Sequence, residues 1–480
     1  MLGFLGRSCF LFDMSSNCLQ IYFFVSHLTE PLPAITFYLN HPMTKILFIT
    51  VGGSHQPIAT SIKTQKPDRV VFICSDGARG SKSQVIGEGK PCEVRKGTEV
   101  IEALPNIPTQ LELGDRFDAE RDLVLIQEPD NLSECYNKTN QKIREVKQEN
   151  PSAEIMADYT GGTKTMSVAL ATASLDNEIL LFITTNTTRQ NLIKVESGER
   201  SRKAATTGLV VTRTVEKALP VYLQNYNYTA AIADLQNLIQ STELSSDQSR
   251  QIDELLDQCE GFDAWDRFDH RVALSRLQPY MKQTNIQPYG LFLKKVIASR
   301  GLLDTKFDTS DGMTGHGYEV VEDLLLNADR RASQKRYDDA VGRLYRASEL
   351  LEQMRLFKQY DILTGDVDVA KLPENLQPEY EVRKASNSRK KVQIALFQSY
   401  DLLSKFDNDP LGQLFLTYKD RILNSLEIRN NSLFAHGFQP ISESNYRNFN
   451  QVIGEFVREG IAAVIPAKPK LGSKQFPQSL

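Results

Sequence analysis

Near the C-terminus, Arg429 and His436 stand seven residues apart in the run Arg429-Asn430-Asn431-Ser432-Leu433-Phe434-Ala435-His436. A guanidinium is permanently charged and fork-shaped, which suits it to clamp a phosphate, and an imidazole moves protons near neutral pH. Together they are a minimal kit for cutting RNA without a metal. The 2′-hydroxyl attacks the adjacent phosphorus, leaving a 2′,3′-cyclic phosphate and a 5′-hydroxyl. Arg429 suits the extra charge of the phosphorane, His436 suits the proton transfer or the orientation of the 2′-hydroxyl, and Asn430 can position both by hydrogen bonding.

The element expected to carry them is a helix. At about 100° per residue, Tyr418, Ile422, Leu426, Arg429, Leu433 and His436 fall within an arc of roughly 80°, so the two charges share the apolar stripe. A buried guanidinium costs several kcal/mol unless it meets a phosphate, a carboxylate or a wet cleft. The same residues also suit a plain helix end, with Arg429 paired to Glu427 and His436 in the last turn before Gly437.

A second set of residues lies in the first half of the chain. Short apolar runs, KILFITV, RVVFICS, DLVLIQ, EIMADY, EILLFIT and GLVVT, alternate with polar or helical stretches between Lys45 and Thr214. Such runs read as parallel strands covered on both faces, a Rossmann-like sheet, with Glu134 to Gln148 as the crossover helix between the third and fourth. Ligands bind beyond the carboxyl ends of such strands, and there the chain turns polar and glycine-rich: Gly52-Gly53-Ser54, then Asp76-Gly77, then Thr160-Gly161-Gly162-Thr163-Lys164. Glycines let the backbone approach a phosphate, helix-terminal amides point at it, and Lys164 adds a full charge. The third loop departs from the Walker A pattern, and the first does not continue as G-x-G-x-x-G. Tight turns that need glycine for geometry alone remain the alternative.

After Glu216 the strands stop, and nearly everything from Lys217 to Ala463 has a helical pattern. The strand-DYTGGTKTM-helix segment resembles the ligand-binding motif of CARF domains, and Arg429 to His436 resembles the R-x4-6-H signature of HEPN ribonucleases in its form with Asn after the Arg. Arg336 to Gln353 also looks like the early long helix of a HEPN domain. CARF followed by HEPN is the layout of CRISPR-associated ancillary ribonucleases. The fold class expected is therefore an α/β Rossmann-like CARF domain, residues 43–216, then an all-α half comprising a helical linker, 217–317, and a HEPN domain, 318–465. The resemblance implies a homodimer that senses cyclic oligoadenylate through Gly52, Gly53, Ser54, Asp76, Gly161, Gly162, Thr163 and Lys164. It implies cleavage of single-stranded RNA, with Arg429, Asn430 and His436 as catalytic residues, in type III CRISPR antiviral defence. Seven helical residues rise about 10 Å, so one chain's pair scarcely converges on a single phosphate, and two helices meeting across a dyad would solve this.

Composition bounds the rest. With 56 basic and 60 acidic residues, net −4, the chain has no global basic signature, so nucleic-acid contact must be local. The six cysteines form no C-x-x-C pair and have no histidine at ligand spacing, so no metal site, cofactor or disulfide framework is expected, and reduced cytoplasmic thiols are. No apolar run reaches the roughly 20 residues a membrane span needs. Residues 1–42 lack the strand-helix alternation that starts after Met43, so translation is expected to begin there and 1–42 to be a non-native extension. Residues 466–480 have the composition of a disordered tail. Two rivals stay open. One is a ring nuclease that cuts its own activator near Thr163 and Lys164. The other is a non-catalytic, ligand-gated nucleic-acid binder using the cluster Arg383, Lys384, Arg389, Lys390 and Lys391.

Overall fold

Five of the apolar runs become parallel strands because each is buried on both faces: β1 (Lys45–Thr50), β2 (Arg69–Ser75), β3 (Leu123–Ile126), β4 (Glu154–Asp158) and β5 (Leu180–Asn186). A sixth strand, β6 (Glu199–Lys203), runs antiparallel to β5, and the order across the sheet is β6-β5-β4-β1-β2-β3. This computed structural model describes residues 43–77, 80–96, 99–186, 199–433, 437–465 and 473–480, together with the backbone of four strands in the first 42 residues. Those four, Gly3–Leu5, Ser8–Ser15, Cys18–Val25 and Ile35–Tyr38, form an antiparallel sheet of their own.

Helices α1 (Gln56–Gln65), α2 (Leu132–Glu149) and α3 (Lys164–Asp176) connect the strands. They divide the apolar side chains into two cores, one on each face of the sheet, around Phe48, Ile143 and Leu170 and around Ile49, Ile62 and Phe72. The chain winds outward from β1 through β2 to β3, then returns to lay β4 on the other side of β1. The strand order therefore reverses between β1 and β4. That is the position where open α/β sheets leave a crevice for ligands.

The run GLVVT, expected as the sixth strand, is instead a helix, Thr207–Val211, and opens a second compact unit, residues 207–480. Five apolar residues fit a strand or a buried helix turn equally well, whereas the actual edge strand, Glu-Arg-Ser-Arg-Lys, is polar because only one of its edges is paired. The second unit is helical. Its main elements are α4 (Ser246–Asp266), α5 (Glu319–Ser333), α6 (Tyr337–Tyr360), α7 (Pro410–Asn430) and α8 (Glu455–Val464). One continuous core runs from Leu219 to Phe476, so the segments expected as linker and HEPN domain share their packing.

The expectation of disorder over 466–480 does not hold for residues 473–480. Phe476 is buried against Phe262 and Trp265, with ring centroids 5.1 and 4.9 Å away, and the Arg330 guanidinium lies 3.6 Å above its ring. One aromatic in a polar tail suffices to dock it when a cationic and aromatic socket waits. Among the described residues no helix is long and apolar enough to cross a membrane.

Candidate functional site

At the strand-order reversal, the loops after β1 and β4 touch backbone to backbone. A Cβ on Gly161 would lie 2.2 Å from the Thr50 carbonyl oxygen, and one on Gly52 would lie 2.6 Å from the Gly162 amide nitrogen. Only glycine fits either place. Gly162 has φ +83°, the left-handed region, which turns the chain into α3. The Thr50 hydroxyl donates to the Gly161 carbonyl at 2.7 Å, as does that of Ser167.

Beneath this contact lies Asp158, the fully buried last residue of β4. Ser61 Oγ and Thr184 Oγ1 donate to its Oδ2 at 2.6 and 2.8 Å, and the amide and hydroxyl of Thr160 donate to its Oδ1. A buried carboxylate without such donors would cost several kcal/mol; with them it becomes the post on which the DYTGG loop is hung. Thr163 caps α3 by accepting the Met166 amide at 3.2 Å and donates its own proton to the Pro129 carbonyl at 2.7 Å, which ties in the loop after β3. Gln84 Nε2 donates to the Gly52 carbonyl at 2.6 Å and ties in the segment after β2. Lys164 is exposed at the first position of α3, where free amides and the helix dipole already favour an anion.

The remaining loop candidates are placed differently. Gly53 and Ser54 are exposed, with the Ser54 hydroxyl turned to Gln56 Oε1 at 2.6 Å. Asp76 is engaged by its own chain: the Gly77 amide at 2.8 Å, and then Lys82 Nζ at 3.0 Å, hold its carboxyl below the usual range. Its neighbours Ala78 and Arg79 lie outside the described residues. Thr50, Ser61, Asp158, Gln84 and Thr184 were missed, although polar residues closing apolar strands were a readable sign for Thr50 and Asp158. His55, also missed, is buried at the start of α1, and burial pulls its pKa down against the opposing charge of Glu102.

In the helical unit, α7 is anchored at its start by Asp409. One oxygen of this buried carboxylate accepts the Gly412 amide at 2.9 Å, and the other takes Arg355 Nε at 2.8 Å and the Tyr360 hydroxyl at 2.9 Å. At the other end Arg429 is half-buried, its guanidinium 4.4 Å from the Tyr345 ring centre on α6, and it donates to Asn430 Oδ1 at 3.3 Å. Burial, and then Glu349, push the Tyr345 hydroxyl's pKa up, while Arg429 opposes them.

The helix does not continue to His436, contrary to the expected stripe. It ends at Asn430; Tyr418 and Ile422 are buried, but Leu433 is 65% exposed. The Asn431 and Ser432 amides still bond back to Glu427 and Arg429, and then the chain doubles back: the Gly437 amide reaches the Ser432 carbonyl at 3.2 Å and Gln439 pairs with Ser432. A Cβ on Gly437 would sit 1.9 Å from the Asn431 carbonyl oxygen, so the return passes directly against the helix end. Phe434, Ala435 and His436 lie outside the described residues, between these two tied ends. The return is also fixed to α6, since Asp338 Oδ2 accepts the Ile441 amide at 3.1 Å.

Around this corner large apolar side chains face outward: Leu416 and Leu423, seven residues apart on α7, are 49% and 46% exposed, and Phe438 is 91% exposed. Asn430 continues the same face by another seven residues. Large exposed apolar side chains at a seven-residue repeat are unusual on a surface meant for water.

Residues 312–459 match the family model described as the Csm6 HEPN domain. The solved structure of "Enterococcus italicus Csm6 bound to cyclic hexa-2′-fluoro-hexa-dAMP" aligns with a TM-score of 0.53 at 14% identity, covering 88% of this chain and 95% of that one. The structure of Can2 from Sulfobacillus thermosulfidooxidans in complex with cyclic tetra-adenylate aligns with a TM-score of 0.20 at 14% identity, over 50% of this chain and 68% of that one. No curated protein matches the chain.

Proposed function

Taking the chain as a CRISPR-associated CARF–HEPN ancillary protein, we propose that it is a metal-independent endoribonuclease of type III CRISPR antiviral defence, switched on by cyclic oligoadenylate and acting on single-stranded RNA. The observation that carries the reading is the pairing of two built features in one chain: glycine-packed strand-end loops beside the exposed Lys164 at the strand-order reversal, and an arginine held by an aromatic ring at the end of a HEPN helix.

The crevice supplies what a cyclic phosphodiester needs. Gly52 and Gly161 bring backbone amides close, α3 points its N-terminus at the opening, and Lys164 adds a cation. A ring of adenylates has rotational symmetry, whereas one sheet offers one set of loops, so the receptor is two copies facing across a dyad. Two-fold pairing of the helical units gives the outward apolar row of Leu416 and Leu423 a partner and brings two Arg429 ends together. There Arg429 neutralises the phosphorane, His436 moves the proton, and Asn430 orients the group beside it. Activator binding raises the rate only through higher affinity for the arrangement in which this composite site is assembled.

Purified protein incubated with labelled single-stranded RNA and a panel of cyclic oligoadenylates tests the reading. One ring should accelerate cleavage at least tenfold. No acceleration by any ring would refute it.

A further inference from the structure

The helical unit contains a cavity of about 710 Å³ between the end of α4, the Asn225–Asn227 loop and the turn joining α5 to α6. Its wall carries Arg267, Arg331, Lys335, Arg336 and Arg343, against the carboxylates of Asp263 and Asp266. Asp263 is taken by Arg267 at 2.8 Å, and Asp266 is shared between Arg331 and the fully buried Arg330, whose Nε lies 2.8 Å away. Asp339 pairs with Arg336 and, at 3.5 Å, with Arg343. Five arginines thus share three carboxylates, and Lys335 adds a further positive charge to the same wall.

The shortfall is visible in individual atoms. Arg331 is 8% exposed and lines the cavity, yet its Nε has no hydrogen-bond partner, and neither has the Arg330 Nη2 behind it. A buried charged donor left without an acceptor is costly, so the cluster behind this wall is short of negative charge. Burial, and next the charge of Arg331, pull the Arg343 pKa down, the sign of cations crowded without enough counter-charge. Lys335, at the turn, has φ +60°, which sets its side chain on a backbone bend that glycine or asparagine normally occupies. The volume lies in the range of small-molecule pockets, large enough for a nucleotide.

We propose that this cavity binds a phosphate ester, with Arg331, Lys335, Arg336 and Arg343 gripping the phosphoryl oxygens. Planar guanidiniums and a lysine around a void match three charged acceptor oxygens, whereas a neutral ligand would leave the cations unmet. The phosphate has two possible sources, a free nucleotide or the backbone of an RNA strand. Neither depends on the RNA-cleavage reading.

The test uses the full chain and two probes: AMP by calorimetry, and a fluorescein-labelled, non-cleavable 2′-O-methyl oligoadenylate by anisotropy. Lys335→Gly, which suits the left-handed backbone, combined with Arg336→Gln should weaken AMP binding at least tenfold, while Lys164→Ala and Arg429→Ala leave it within about twofold. If the oligonucleotide weakens in parallel, an RNA strand can place its phosphate there; if only AMP weakens, the cavity takes free nucleotides. Lys335→Gly alone, at an exposed position, repeats the measurement should the double variant melt early. AMP binding that is absent, unchanged in both variants, or lost instead in Lys164→Ala overturns the proposal.

Discussion

A methyl group on Gly52 would lie 2.6 Å from the amide nitrogen of Gly162, and one on Gly161 would lie 2.2 Å from the Thr50 carbonyl oxygen, so the loops after the first and fourth strands of the parallel sheet can meet only because Gly52 and Gly161 lack side chains there. Gly52→Ala must push the loops apart at the strand-order reversal. The activator concentration for half-maximal RNA cleavage should rise by about tenfold or more, the equivalent of roughly 1.4 kcal/mol, with the melting of the helical unit unchanged. An unshifted activation curve would place the ligand elsewhere.

Lys164 tests the same crevice through charge. A charge-assisted contact is worth on the order of 1.5–3 kcal/mol, so Lys164→Ala should raise the activator requirement roughly ten- to a hundredfold. At saturating activator the cleavage rate should return to that of the unmodified chain, because the RNA site is untouched. A lowered plateau would mean that Lys164 acts on the chemistry itself.

Much of the first unit was legible because parallel strands buried on both faces leave continuous apolar runs, as in Lys45–Thr50 and Arg69–Ser75. The glycines at 52 and 161 were legible because close backbone approach leaves no other residue type, and Gly162 because the turn into the helix needs a left-handed backbone. Asp158 was not singled out because its role rests on donors from Ser61 and Thr184, which are remote in sequence. In the helical unit, periodicity carried Arg429 correctly onto the Tyr418 and Ile422 face but ran past the helix end. The pair Asn430-Asn431, with Gly437 beyond, was the stop signal, and Leu433 is exposed as a result. Phe476 was invisible because composition reports a segment's average, and a single ring does the docking.

The Tyr345 ring should matter through Arg429 alone. Tyr345→Leu removes the aromatic face beneath the guanidinium and should lower kcat by about tenfold, whereas Tyr345→Phe keeps the face and should stay within about threefold. The activator requirement should be unchanged in both. Equal losses in the two variants would show that the hydroxyl, and not the ring, is what counts.

Glu352 should make stability pH-dependent. It is 1% exposed within the long helix Tyr337–Tyr360, its Oε2 has no hydrogen-bond partner, and burial raises its pKa well above the ordinary value, with Ser399 and Arg346 opposing. A carboxyl raised in the folded state costs nothing while both states hold the proton. The cost appears as pH climbs past the unfolded value near 4.3 and grows until the folded group ionises. Glu352→Gln should therefore melt higher than the unmodified chain at pH 8, with the gap closing towards pH 4.5. A gap that is absent or constant across that range would contradict the buried, protonated state.

The central claim is that activator bound at the sheet switches metal-free cleavage at Arg429 and His436. The direct measurement is the rate at which 2′,3′-cyclic phosphate ends form on labelled RNA in excess EDTA, with and without cyclic oligoadenylate, for the unmodified chain, Arg429→Ala and His436→Ala. Activator-dependent ends should form with the unmodified chain and fall by at least about a hundredfold in either variant while both still bind activator. Cleavage that survives in Arg429→Ala, or that requires Mg²⁺, would contradict the account.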